Sequence, residues 1–184
     1  MIYDLPWTVE FGGRSWPINT DYRDVLRVLT AFEDPDLSDE EKAYICLHNL
    51  YPDLPEIPRD QLQKAFDAAL DFIDRGQQDD AHGPRTMDWT QDAPLIFPAV
   101  NRSAGFEVRS VEYMHWWTFM GFFLEIRDST YSTILGLRSK KAHGKKLEKE
   151  EREFWSRNKK LCVIRTKLTE EEDAEKERLR KLLG

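Results

Sequence analysis

The spacing of hydrophobic residues changes period early in the chain. Trp7, Val9 and Phe11 alternate with polar residues, Gly12-Gly13 follows, and Arg14-Ser15-Trp16-Pro17-Ile18 continues. Two short runs around a Gly-Gly pair predict a β-hairpin over 7–18, and Pro17 confines the second strand to an edge or to its own end. From Thr20 the spacing is helical. Asp21 can cap a helix whose apolar positions are Tyr22, Val25, Leu26, Leu29 and Phe32, and Asp34-Pro35 ends it. Ser38 and Glu41 form a capping box ahead of Ala43, Tyr44, Leu47 and Leu50. After Pro52, Pro55 and Pro58, the residues Leu62, Ala65, Phe66, Ala69, Leu70 and Ile73 give a third amphipathic helix, closed by Gly76.

Polar Gln77–Thr86, with Gly83-Pro84, predicts an exposed mobile loop. A fourth helix is expected from an Asp92 cap, with Pro94 in the first turn and Gly105 at the end; Pro98 fits only if it too lies in that turn. Ser110 is the expected cap of a fifth helix, whose stretch Tyr113–Leu124 is apolar on nearly every face. Such a helix is buried all round, or buries one face and offers the other to a partner. Helices through Tyr131–Leu137 and Leu147–Leu161 follow, with Phe154 and Trp155 as anchors of the second. Thr169 and Glu172 form another capping box before Glu170–Leu183. The predicted fold is mainly α: one helical domain over 1–161 with an N-terminal hairpin at 7–18 and a mobile loop at 77–86. A charged helix within 162–184 then projects or frays.

Charge adds an asymmetry. The net −7 of the 184 residues divides into 8 Lys/Arg against 20 Asp/Glu over Met1–Asp92, and 10 against 4 over Arg138–Lys160. The acidic front half disfavours nonspecific DNA binding. No stretch reaches the roughly 18 apolar residues that would span a bilayer, and the acidic start, with Asp4 and Glu10, lacks the pattern of a signal peptide. The cytoplasm is the expected compartment, and Cys46 and Cys162 are expected to be reduced, buried thiols.

The sequence carries no recognisable catalytic motif. Gly144-Lys145 fails as a phosphate loop, because Ser139 stands where the first Gly belongs and Lys146 where a Ser or Thr must ligate magnesium. Asp34, Asp36 and Asp39 follow a calcium loop for three residues only, interrupted by Pro35. Histidines 48, 82, 115 and 143 are scattered, without zinc spacing or a nucleophile elbow. His115 beside Trp116 reads as a hydrogen-bonded, semi-buried ring. No enzyme, no cofactor and no metal is expected.

One stretch carries a resemblance. Residues 88–109 read DWTQDAPLIFPAVNRSAGFEVR, followed by EYMHWWTFMGFFLEI and RSKKAHGKKLEKEEREF. The paired tryptophans, the FMGFF segment and the lysine-rich segment resemble the phage protein family named after gene product fifteen of a Listeria phage. The likeness is strongest after Met87, and Val163–Gly184 carries no motif of the family. The resemblance implies a long-tailed phage or prophage and a gene placed like that of a tail assembly chaperone. By that analogy the protein binds the tape measure protein in the host bacterial cytoplasm, with the tail tube protein as a further partner. Rival readings are a structural tail or head–tail connector subunit kept in the virion, and a nucleic-acid-binding phage regulator. Glu148, Glu150, Glu151 and Glu153 among the lysines argue against nucleic acid.

Aromatic and basic residues are the candidate partner contacts: Trp116, Trp117, Phe119, Phe123 and Trp155, with Lys140, Lys141, Lys145 and Lys146 for steering an acidic partner. Adjacent residues on a helix point about 100° apart. One of Trp116 and Trp117 should therefore anchor the core and the other approach the surface. A homo-oligomer is a further possibility.

Overall fold

The fold is seen in a computed structural model that describes residues 4–75, 84–165, 178, 179 and 181. Strands β1 (Thr8–Phe11) and β2 (Arg14–Pro17) form an antiparallel hairpin in which Val9 faces Trp16 and Phe11 faces Arg14. Gly12 and Gly13 turn it at φ 61° and 75°, conformations that residues with a Cβ adopt only under strain. At Gly12 a Cβ would also lie 1.9 Å from the Gln61 Oε1. Phe11 and Trp16 stack at 5.4 Å, and Tyr51 meets Phe11 edge-on at 5.9 Å, so the hairpin buries its aromatic face. That burial supplies the support a lone hairpin lacks in water.

Helices α1 (Tyr22–Phe32), α2 (Asp39–Leu50) and α3 (Leu62–Ile73) follow. Asp21 accepts from the Arg23 N–H at 2.9 Å, and the Ser38–Glu41 capping box forms as the sequence predicts. Helix α4 runs Trp89–Ala104 and stops at Gly105, whose φ is 81°. Then come α5 (Trp116–Leu124), α6 (Thr130–Ala142), α7 (Lys149–Arg157) and the short α8 (Lys159–Cys162). The fold is mainly α with a small N-terminal β-hairpin. Among the described residues, no helix is long and apolar enough to cross a membrane.

Two helix starts differ from the sequence reading. Helix α4 is capped by Asp88, which accepts from the Gln91 N–H at 2.5 Å, and not by Asp92. Pro94 and Pro98 therefore lie inside the helix, not in its first turn. Both are exposed, as is Thr90. Water can reach the carbonyls of Thr90 and Pro94 that lose their helical donors. Helix α5 starts at Trp116, not after Ser110, because His115 is its cap: the ring Nδ1 accepts from the Trp117 N–H at 3.0 Å. Residues 77–83 of the expected loop and most of 162–184 lie outside the described residues; Arg178, Leu179 and Lys181 are helical and exposed.

The core forms where α1, α4 and α5 meet. Tyr22 stacks on Phe119 at 4.6 Å, and Trp116 on Phe119 at 5.8 Å. The two tryptophans also fasten α5 to the C-terminal end of α3. Trp116 donates its indole N–H to the Ile73 carbonyl at 2.8 Å, and Trp117 donates to the Phe72 carbonyl at 2.9 Å. Those carbonyls belong to the last turn of a helix, which has no internal donors for them.

A buried ion pair fixes the other end. Arg138 of α6 meets Asp92 of α4 in a two-point contact of 2.6 and 2.9 Å, with both side chains almost wholly buried. Its remaining donors go to the carbonyls of Thr86, Leu161 and Cys162. Asp92 also accepts from the Asp88 N–H at 3.0 Å. One guanidinium thus ties α6 to α4, to α8 and to the segment entering α4, with every charge and donor partnered, as burial requires.

Candidate functional site

A groove of about 410 Å³ opens between α1 and α4, with a mostly apolar lining and polar groups near it. The alternation of buried and half-exposed positions on both helices creates it. On α1, Tyr22 points into the core while Leu26 and Thr30, one and two turns on, stay half-exposed. On α4, Ile96 is buried, whereas Trp89, Ala93 and Phe97 line the opening. Phe119 of α5 closes the floor. Ala93 is the small residue that leaves the space, since a larger side chain there would fill the gap.

Three arginines rim the groove. Arg109 donates two hydrogen bonds to Glu107, at 2.7 and 2.9 Å, and lies over the Phe97 ring at 5.0 Å. Those donations hold the Glu107 carboxyl low, at about 2. Arg23 pairs with Asp21 at 2.9 Å and sits over Tyr22, and Arg27 pairs with Asp24. Burial raises the Asp24 carboxyl above its ordinary range, against the pull of Arg27. The rim is polar and the floor is aromatic, the anatomy of an interface core surrounded by solvated contacts.

The lining contains no carboxylate, histidine or cysteine, and its hydroxyls are those of Tyr22, Thr30 and Thr90. Among the described residues, no group of three His, Cys, Asp or Glu is placed to hold a metal. His115 lies elsewhere: its Nε2 is 2.9 Å from the Pro6 carbonyl while its Nδ1 caps α5, which assigns the proton to Nε2. Burial lowers its pKa from 6.5. The ring joins the N-terminal segment to α5, a structural duty. Burial pushes the Cys46 thiol up to about 12, and Cys162 is also a buried thiol.

The residues singled out in the sequence do not converge on one surface. Trp116 and Phe119 are core side chains at 1% and 0% exposure. Trp117 is half-buried on the Phe72 ring, and Phe123 is half-buried on Trp89 at 5.2 Å. Of the nine residues, only Phe119 lines the groove. Lys140, Lys141 and Trp155 do come together: Lys140 pairs with Glu151 at 2.5 Å, and the Lys141 Nζ sits 4.3 Å from the Trp155 ring centre. Lys145 and Lys146 are exposed beside Gly144, whose φ of 68° makes the turn. Sequence reasoning missed Trp89, Ala93, Phe97 and Arg109. Leu26 was the available signal, an apolar residue at the edge of the α1 stripe.

Comparison with known proteins places the chain by family. No curated protein matches it, and no solved structure does. The family model described as Bacteriophage Gp15 protein matches residues 1–164. The match takes in the hairpin, the groove and helices α1–α8. The chain belongs to the Bacteriophage Gp15 protein family.

Proposed function

We propose that this phage protein is a non-enzymatic tail assembly chaperone that holds a helical segment of the tape measure protein in the groove between α1 and α4. The observation that carries the reading is the groove itself, an opening between two helices lined mostly by apolar side chains and rimmed by three arginines. An amphipathic helix lays its apolar face into such a groove through residues at i, i+3, i+4 and i+7. A tape measure protein is a long helical chain whose apolar stripes need cover before the tail tube closes around it. The chaperone acts in the host cytoplasm and leaves before the virion is complete.

The Ala93→Phe variant tests this. A phenyl ring at position 93 plugs the groove with apolar volume. Binding of a tape measure fragment, followed by the fluorescence of the groove residue Trp89, should weaken at least about tenfold, as expected for loss of a central anchor pocket. The melting temperature should hold or rise. Unchanged affinity in a folded Ala93→Phe protein would refute the groove as the binding site. Mass spectrometry of purified virions separates the chaperone from a retained connector subunit: the chaperone is absent.

A further inference from the structure

The α6–α7 arm, formed by the two helices and the turn at Gly144, has a face that the other described residues do not cover. None of the nine residues of α7 is buried. A nine-residue helix is too short to persist on its own hydrogen bonds. What holds α7 is the Lys140–Glu151 pair, the Lys141–Trp155 contact and its junction with the short α8. Residues 139–160 carry nine Lys/Arg against four Asp/Glu. Two of those acids, Glu151 and Glu153, are engaged inside the arm by Lys140 and Arg157. Among the ion pairs of the described residues, none involves Lys145, Lys146 or Lys149, and all three are exposed.

Helix α2 presents the opposite character. Asp39, Glu40 and Glu41 are exposed in its first turn against a single Lys42. Their charge favours the helix N-terminus, yet leaves a negative surface outside it. Along the same face, at i+4 from Glu40, Tyr44 is 62% exposed and stacks on His48 at 5.6 Å. A large, exposed, pre-ordered aromatic ring amid charges is the composition of an interface anchor. The two surfaces do not serve each other within one molecule. Helix α2 packs on α1 and α3, the arm is built on α4 and α8 through α6, and no ion pair of the described residues links arm to α2.

We propose that the α6–α7 arm of one copy docks on the α2 face of a second copy, with Lys145, Lys146 and Lys149 against Asp39 and Glu40 and with Tyr44 packed on the arm. The two surfaces are different patches of the same chain. The contact is therefore heterologous and repeats head to tail, into a ring or an open array. Because charge dominates it, the contact is salt-sensitive. It stands or falls independently of what the α1–α4 groove binds.

The test is sedimentation velocity of the full chain, without any partner, at about 50 mM and about 500 mM salt, a span over which screening between exposed charges changes strongly. Wild type should form concentration-dependent assemblies at the lower salt, with apparent association at least about tenfold weaker at the higher. K145E/K146E/K149E should stay monomeric at both while keeping its helical circular dichroism. D39K/E40K should do the same. Mixing the two variants should restore assembly, because each reversed surface then meets a complementary one. A wild type that is monomeric at low salt overturns the proposal. So does an arm variant that assembles like wild type, or a mixture that fails to associate.

Discussion

Arg138→Met removes the side chain that joins three parts of the fold. The substitution keeps volume and apolar stem but deletes five hydrogen bonds, two to Asp92 and three to the carbonyls of Thr86, Leu161 and Cys162. Asp92, 1% exposed, is then left as a buried charge whose one remaining donor among the described residues is the Asp88 N–H. Breaking a buried pair from one side costs about 3–5 kcal/mol, most of it the stranded partner. For a chain of this length each kcal/mol lowers the melting temperature by about 2–4 °C, so the fall should be roughly 6–20 °C. Lys140→Met is the control. Its pair with Glu151 leaves the lysine side chain 42% exposed, and such pairs contribute about 0–1 kcal/mol. Urea unfolding of both variants decides the matter. An Arg138→Met protein within about 1 kcal/mol of Lys140→Met would refute the hub. Adding Asp92→Asn to Arg138→Met should recover part of the loss, because no isolated charge then remains.

Gly12→Ala should destabilise by about 1–3 kcal/mol in chemical denaturation, since a residue with a Cβ holds that positive φ only under strain. Trp116→Ala should cost about 3–5 kcal/mol, whereas Trp117→Phe, which keeps a ring on Phe72 and loses one hydrogen bond, should cost about 1 kcal/mol by the same assay. The folded pKa of His115 lies below 6.5, so its contribution to stability is complete above pH 6.5 and is lost as pH falls through the folded value. Titration of its ring by NMR should give a pKa below 6.5, and His115→Ser should remove that pH-dependent loss while keeping a cap for α5.

The parts of the fold legible in the sequence are those decided locally. Gly12-Gly13 dictates the hairpin turn through backbone sterics alone, and the Ser38–Glu41 box needs only four consecutive residues. The start of α4 was misread because two aspartates stand one turn apart. Which of them caps depends on Arg138, 46 residues away, which claims Asp92 for the interior. The start of α5 was misread because histidine is not among the usual capping residues, and His115 serves only by presenting a neutral Nδ1. Trp116 and Trp117 followed the helical geometry expected of neighbours, one buried and one half-exposed. The groove was hidden for a different reason. It belongs to neither helix, and exists only because Leu26 of α1 and Ala93 and Phe97 of α4 are brought side by side over Phe119.

The central claim is that the α1–α4 groove receives the tape measure protein during assembly, and crosslinking inside the cell tests it most directly. A photoreactive phenylalanine analogue placed at Thr90, an exposed residue of the groove lining, reports what lies in the groove, and one at Ser156 on α7 serves as the comparison. Irradiation while tails are being built should yield a covalent adduct between position 90 and the tape measure protein. That adduct should disappear when Ala93→Phe is also present, and finished virions should contain neither the adduct nor this chain. The absence of any tape measure adduct at position 90, or an adduct equally strong with the groove plugged, would contradict the account.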